Sequence, residues 1–319
     1  MKHNVKITLI LVSMFLITQL IGLYVIHIYN SPGVMLPYGM QPPAEIDQNV
    51  SPISLIFAFA VAITLFFILT RLNADKFIRL WFFVVTVIAL ALSFNAFFIK
   101  FNFVFYASFI ALAIAVPLAY IKIFQRNIIV HNLTELLIYP GVSAVFIPIL
   151  NVFSISILLL IISIYDIWAV WHSEFMQKMA SYQINNLKFF TGFFIPYASK
   201  KDREKIKNIK QKYANKSEKV LDKHFKKAKV KVSLAILGGG DVIFPIITAG
   251  VFYKVYKDLA LQGLVSTYAP IGSALIITAS ATISLLFLFI AARKGKFYPA
   301  MPFLTIGMYI GMIINWLIF

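Results

Sequence analysis

Nine stretches of predominantly apolar residues follow one another along the chain. An apolar stretch of about 20 residues, wound as an α-helix, spans the hydrocarbon core of a bilayer. Because lipid cannot satisfy exposed backbone groups, membrane-spanning chains are restricted to helices and closed barrels. The pattern therefore predicts an all-α polytopic membrane protein with nine transmembrane helices. They are expected at 5–28, 51–71, 79–99, 103–122, 128–149, 152–173, 232–253, 268–292 and 299–319.

The composition agrees with a chain that is solvated mainly by lipid. Hydrophobic residues make up 61% of the sequence, charged residues only 13%, and the mean hydropathy is +0.86. Soluble domains carry about 25% charged residues. The absence of cysteine excludes disulfides and thiolate chemistry. The five histidines are scattered and form no H-E-x-x-H pattern, which excludes a zinc metalloprotease of that kind. Neither a metal nor a cofactor is expected.

The distribution of basic residues predicts the orientation of the chain. If the N-terminus lies inside, the outside segments contain only Lys100, Lys254 and Lys257 of the 29 Lys and Arg residues. Cytoplasmic segments carry an excess of Lys and Arg, so this arrangement places the N-terminus in the cytoplasm and the C-terminus outside the cell membrane. The chain then comprises six transmembrane helices in 1–173, a basic cytoplasmic loop in 174–231 and three transmembrane helices in 232–319.

The net charge of +17 comes mainly from the 174–231 loop. Its second half is predicted to be a helix with one apolar stripe among lysines. A basic amphipathic helix of this kind is expected to lie on anionic lipid headgroups, and the segment LKFFTGFFIPY (187–197) is expected to be interfacial. Lysines without interleaved aromatic residues do not indicate nucleic-acid binding. The stripe consists of Ile206, Ile209, Tyr213, Val220, Leu221 and Phe225.

Three acidic residues, Glu135, Asp166 and Asp241, lie within the apolar stretches. A charge at the centre of a bilayer costs about 2.5–3.5 kcal/mol on insertion scales, so such residues are candidates for function. With a helical rise of about 1.5 Å per residue, Asp166 lies roughly 9–12 Å and Asp241 roughly 15 Å from the inner surface. The sixth and seventh spans are consecutive and antiparallel, and the two aspartates are therefore expected to face each other.

Two facing aspartates predict hydrolytic chemistry. Carboxylates a few ångströms apart cannot both ionise near neutral pH, so one keeps a proton. The anionic group can take a proton from water while the neutral group protonates a carbonyl oxygen, which hydrolyses a peptide bond. Gly238, Gly239 and Gly240 are expected to allow another helix to approach, and with Pro245 to loosen the helix beside Asp241. Loosened backbone at membrane depth predicts a wet cavity there.

Three motifs resemble those of presenilins and signal peptide peptidases, the intramembrane aspartyl proteases. Tyr165 and Asp166, within ISIYDIWAV, resemble the Tyr-Asp motif of that family. GGGD (238–241) resembles its Gly-x-Gly-Asp motif, with Gly239 where leucine is usual, and PAMP (299–302) resembles its Pro-Ala-Leu motif, with Met301 in place of leucine. Prepilin peptidases share a Gly-x-Gly-Asp but have fewer spans and lack the third motif.

The resemblance implies a presenilin-like fold in which Asp166 and Asp241 are the catalytic aspartates. It implies substrates that are single-span membrane proteins or remnant signal peptides, whose helices unwind beside the site and pair as strands with enzyme backbone. The cytoplasmic N-terminus is the presenilin-type orientation. The residues implied to support the site are Tyr165, Gly238, Gly239, Gly240, Pro299, Ala300 and Met301.

Some interpretations remain open at this point. A proton-coupled transporter can also use paired intramembrane aspartates, although transporters often carry internal repeats, which this chain lacks. His131 and Glu135 are four residues apart and share one helix face. They are expected to line the cavity or an interface, with a proton relay as the alternative. Asn95 and Asn315 are polar residues in apolar spans without a predicted role.

Overall fold

The computed structural model describes residues 5–40, 52–72, 74–100, 106–125, 127–172, 190–198, 200–212, 232–292 and 298–319. These ranges contain α-helices, one short 3₁₀ turn at Ile147–Ile149 and one two-stranded sheet. In chain order the elements are α1 (Val5–Tyr29), α2 (Pro52–Arg71), α3 (Asp75–Lys100), α4 (Ala107–Phe124), α5 (Ile128–Phe146), α6 (Val152–Trp171), β1 (Gly192–Ala198), α7 (Lys200–Lys212), β2 (Val232–Gly238), α8 (Gly239–Leu261), α9 (Ala269–Ala291) and α10 (Met301–Ile318).

Within the described ranges, seven helices are long and apolar enough to cross a membrane, as judged from their length and composition. They are α1, α3, α4, α5, α6, α9 and α10. The chain is therefore a helical multi-pass membrane protein. The two other predicted spans correspond to α2 and α8, which are helices of 20 and 23 residues. Nine membrane crossings remain a prediction.

Helix α1 packs against α3, α5, α8 and α9. It approaches α8 closely, since a Cβ on Gly22 would lie 2.6 Å from a side-chain carbon of Ile246. The buried side chain of Gln19 donates a hydrogen bond of 2.9 Å to the backbone carbonyl of Val242. Helix α1 thus supports α8 directly beside Asp241.

Helices α9 and α10 pack through small residues. A Cβ on Gly311 would lie 2.9 Å from Ser280 Oγ, and Gly307 faces Ser284 and the backbone of Ser280. Asn315 donates to the carbonyl oxygens of Ser273 and Gly311, at 3.1 and 3.0 Å. The G-x-x-x-G pattern and Asn315 therefore serve helix packing, as small residues at membrane interfaces do.

Asn95 joins three helices. Its Nδ2 donates to the Tyr29 hydroxyl of α1 and its Oδ1 accepts from Ser108 Oγ of α4, both at 3.1 Å. These bonds satisfy a side chain that is only 2% exposed.

Strands β1 and β2 form the two-stranded sheet, which we call the hairpin. It corrects two predictions. Residues 232–238 were predicted to begin the seventh helix, but they form β2, which pairs antiparallel with β1. Gly192 lies opposite Gly238, and Ala198 lies opposite Val232. The chain is therefore mostly helical rather than all-α. Leu234 and Ile236 are exposed while Ala235 and Leu237 are buried, which is the period-two pattern of a strand.

This strand also changes the depth estimated for Asp241. The estimate assumed a helical rise before Asp241, but a strand rises about 3.3 Å per residue. When a short apolar run continues into a longer one, periodicity alone does not show whether the short run is a strand or a helix.

The basic helix is described only in part. Helix α7 spans Lys200–Lys212 and includes Ile206 and Ile209 of the predicted stripe. Tyr213, Val220, Leu221 and Phe225 lie outside the described residues. The segment predicted to be interfacial contributes most of β1.

Candidate active site

Asp166 lies on α6 and is 6% exposed. Its Oδ2 accepts a hydrogen bond of 3.0 Å from the backbone N–H of Met301, the first residue of α10. The backbone N–H of Ala300 lies near this carboxylate as well and favours its charged form. The first N–H groups of a helix have no partner within the helix, and the helix dipole favours a negative group there. The start of α10 is therefore built to hold the Asp166 carboxylate.

The PAMP segment forms this helix start. Pro299 and Ala300 are non-helical, Pro299 is buried, and Ala300 is the N-cap residue of α10. Pro302 lies in the first helical turn, where its missing N–H costs no intrahelical bond.

Helices α6 and α10 are joined along their length. Ser163 Oγ and Thr305 Oγ1 are 2.7 Å apart, and the Tyr309 hydroxyl donates to the Ser156 carbonyl at 2.7 Å. Together with the Met301–Asp166 bond, these contacts show that the two helices run antiparallel. Tyr165, beside Asp166, is half-buried, and its ring centroid lies 6.4 Å from that of Trp168.

Asp241 is the third residue of α8 and is partly exposed. Its carboxylate lies against Gly238, the N-cap residue, since a Cβ on Gly238 would be 3.2 Å from Asp241 Oδ2. This is the position of the acidic residue in a capping box, where the third helical residue reaches back towards the N-cap N–H. The glycines thus mark an abrupt change from strand to helix, which places a carboxylate at the helix start.

Helices α6 and α8 are in contact, and the Asp166 and Asp241 carboxyl groups are close enough to interact electrostatically. Asp166 is held by the Met301 amide at the start of α10, and Asp241 lies in the first turn of α8 against Gly238. Two like charges held at adjacent helix starts can share one proton. Among the described residues, no three His, Cys, Asp or Glu side chains are grouped as a metal site requires.

Of the three glycines, Gly239 alone approaches a neighbouring helix. A Cβ on Gly239 would lie 2.9 Å from the hydroxyl oxygen of Tyr139 on α5, whereas one on Gly240 would reach only Phe244, at 3.9 Å. The expectation that these glycines allow another helix to approach therefore holds at Gly239, but not at Gly238 or Gly240. The buried Tyr139 hydroxyl lies near Glu135 and Asp241 and has no hydrogen-bond partner of standard geometry in the described chain.

Tyr139 explains why glycine stands at position 239. We expect Gly239→Leu to displace the Tyr139 ring and lower the free energy of unfolding by about 1–3 kcal/mol, the usual cost of overpacking. The double variant Gly239→Leu/Tyr139→Ala should regain part of that stability. Thermal unfolding of the two variants and of Tyr139→Ala checks this. A double variant no more stable than Gly239→Leu would show that the Tyr139 contact does not determine the residue at 239.

A buried ion pair next to this site was not predicted from the sequence. Lys122 at the end of α4 pairs with Glu135 on α5, and their side chains are 3% and 2% exposed. Lys122 was assigned to a cytoplasmic segment, because a lysine at the end of an apolar stretch is usually a loop residue. The signal that could have found it is Glu135 itself, since a buried carboxylate requires a nearby cation. His131 Nε2 lies 3.6 Å from Glu135 Oε1.

A helical multi-pass membrane protein with two interacting aspartates, one in the first turn of α8 and one bonded to the first turn of α10, has the layout of an intramembrane aspartyl protease. The sequence profile described as "Signal-peptide peptidase, presenilin aspartyl protease" matches residues 12–319. The chain therefore belongs to the signal peptide peptidase and presenilin family of aspartyl proteases.

Two solved structures share this fold. One is a presenilin family intramembrane aspartate protease in space group C222, with a TM-score of 0.60, 14% identity, and coverage of 98% of this chain and 99% of that one. The other is described in the same words in space group P2, with a TM-score of 0.58, 15% identity and 97% coverage of both chains. No curated protein sequence matches the chain.

Proposed function

We propose that this protein hydrolyses peptide bonds within transmembrane segments, with Asp166 and Asp241 acting together on one water molecule. Membership of a family of aspartyl proteases supports the reaction class. The observation that carries the proposal is that Asp166 and Asp241 lie on contacting helices, close enough to interact electrostatically, with Asp166 held by the Met301 amide and Asp241 in the first turn of α8.

In the proposed reaction, one carboxylate takes a proton from water and the water oxygen attacks the carbonyl carbon. The other, protonated aspartic acid donates its proton to the carbonyl oxygen, which gives a hydrated tetrahedral intermediate. Proton transfer to the amide nitrogen then breaks the C–N bond. The titration belongs to the pair rather than to either residue. The Met301 amide orients Asp166 and the start of α8 fixes Asp241, so little reorganisation is needed during the reaction.

The hairpin supports an extended substrate. Strand β2 leads into Asp241, and no second strand pairs with it in the part of the chain that the structure describes. An unpaired edge offers a row of backbone N–H and C=O groups to a further strand. A substrate helix that unwinds beside β2 would gain these bonds and bring its backbone carbonyl groups to the aspartates.

The proposed function is tested with purified protein in liposomes and a single-span substrate. We expect two fragments whose masses add up to the substrate plus one water. A hydroxyl-containing peptidomimetic, which resembles the tetrahedral intermediate, should compete with cleavage. If the substrate stays intact while the same liposomes show proton-driven flux of a solute, the protein is instead a transporter.

We further propose that the N-terminus is cytoplasmic, the C-terminus is outside the cell membrane, and α7 lies on anionic lipid of the inner leaflet. Reporters with their N-terminus outside should then be cut at least about tenfold faster than inverted ones, since misoriented strands lose the backbone bonds and each tenfold corresponds to about 1.4 kcal/mol. A C-terminal tag and a matched pair of reporters measure this. Equal or faster cleavage of the inverted reporter would refute the polarity argument.

Pro299 is expected to fix the start of α10. Pro299→Ala frees the backbone before Ala300 and Met301, whose amides lie at the Asp166 carboxylate. We expect cleavage to fall about tenfold, because a 1 Å displacement of a catalytic group can cost up to about a hundredfold. Tm should change by only a few degrees. Parallel losses of activity and stability would mean that the proline merely begins a helix.

A further inference from the structure

The outer edge of β1 is covered by side chains of α5. The Gly192 carbonyl oxygen lies 2.8 Å from His131 Nε2, and the Gly192 N–H donates to Glu135 Oε1 at 3.4 Å. Asn132 donates from Nδ2 to the Phe194 carbonyl at 3.0 Å and accepts the Phe194 N–H at 3.2 Å. The N–H and C=O groups of both Gly192 and Phe194 are therefore paired, as they would be by a neighbouring antiparallel strand.

Two further contacts fix these side chains. Lys122 neutralises Glu135 by the buried ion pair. The His131 ring packs against the Phe194 ring, with centroids 4.6 Å apart, and its Nε2 must carry a proton to donate to the Gly192 carbonyl. We call Lys122, His131, Asn132 and Glu135 the hairpin latch.

A short structural connection leads from the hairpin latch to Asp241. Gly192, held by His131 and Glu135, is the register partner of Gly238. Gly192 has φ +136°, and a Cβ there would lie 2.7 Å from the Phe190 ring, so only glycine fits this junction. Gly238 in turn lies against the Asp241 carboxylate, since a Cβ there would be 3.2 Å from Asp241 Oδ2. The position of β1 thus determines the position of the backbone that packs against Asp241.

We propose that the hairpin latch holds Asp241 in register with Asp166, which makes His131, Asn132, Glu135 and Lys122 positioning residues for proteolysis. This inference rests on the proposed function. The geometry assigns the latch a role beyond helix packing, because three of its side chains bond to strand backbone rather than to other helices. It also assigns Glu135 a role other than a proton relay, since Glu135 is engaged by Lys122 and Gly192.

The first arm of the test measures catalysis. Asn132→Leu and His131→Phe remove the bonds to β1 but keep side chains of similar size, and His131→Gln restores a donor. Leu133→Ala, on the exposed face of the same helix, is the matched control. We expect kcat to fall about tenfold in Asn132→Leu and in His131→Phe and KM to stay within about twofold, the pattern of an interaction needed in the transition state. His131→Gln should recover most of the loss. Unchanged kcat in Asn132→Leu and His131→Phe would overturn the proposal, and so would a loss in Leu133→Ala of the same size.

The second arm does not depend on proteolysis. In an Asp166→Ala background, hydrogen exchange of the hairpin amides should be faster in Asn132→Leu and His131→Phe than in Leu133→Ala, while exchange in α9 and α10 stays unchanged. Equal exchange rates of the hairpin amides in all three variants would overturn the proposed role of the latch, even if Asp166 and Asp241 prove catalytic. Faster exchange confined to the hairpin supports the latch even if no peptide substrate is cleaved.

Discussion

Replacing Asp166 or Asp241 by alanine is expected to reduce cleavage of a membrane-spanning substrate at least about a thousandfold, since one positioned acid or base contributes about 10²–10⁴ to a rate. Either change removes one member of the pair that must share a proton, and the remaining carboxylate cannot act as acid and base in the same step. Initial rates of fragment formation in liposomes measure the effect.

These variants should remain folded. Removal of a buried carboxylate relieves the cost of burying it, so Tm should not fall by more than a few degrees. Asp258→Ala is the matched control, because Asp258 is an exposed acid on the same helix as Asp241. A purified Asp166→Ala or Asp241→Ala protein that cleaves as fast as Asp258→Ala would refute the assignment of the pair.

The largest stability effect is expected at Lys122. Lys122→Met leaves the Glu135 carboxylate buried without its cation, which should lower the free energy of unfolding by about 3–5 kcal/mol. Thermal unfolding in detergent measures the change. The bonds of the hairpin to α5 should loosen at the same time, because Glu135 loses the partner that fixes its position.

The double variant Lys122→Met/Glu135→Met provides the comparison. Well-packed apolar side chains can replace a buried ion pair at little cost, so most of the lost stability should return. Lys207→Met, which removes an exposed lysine of α7, should leave Tm unchanged. A Lys122→Met protein that is no less stable than the double variant would show that the pair contributes no ionic interaction.

Much of the helical architecture could be predicted from the sequence, because long apolar stretches have few alternatives in lipid. Asp166 and Asp241 could be singled out by the cost of burying a charge, without knowledge of their neighbours. The resemblance to presenilins and signal peptide peptidases, which rests on three short motifs, is confirmed by the family match over residues 12–319. The role of each motif residue in catalysis stays a prediction.

The hairpin and its contacts could not be predicted in the same way. Residues 232–238 are as apolar as the helix that follows them, and only pairing with β1 across the basic segment makes them a strand. Asn132 and Tyr139 carry no local signal, because their roles depend on which strand or glycine lies against α5. Lys122 lies at the end of an apolar stretch, where its sequence position fits both a buried cation and a loop residue.

The claim that Asp166 and Asp241 form one catalytic unit is tested most directly by a double-mutant cycle. The kcat/KM of a single-span substrate is measured in liposomes for the wild type, Asp166→Asn, Asp241→Asn and the double variant. Because residues that act as a unit have non-additive effects, we predict that the double variant is no slower than either single variant. Losses that multiply in the double variant, or activity retained in either single variant, would contradict a shared aspartate pair.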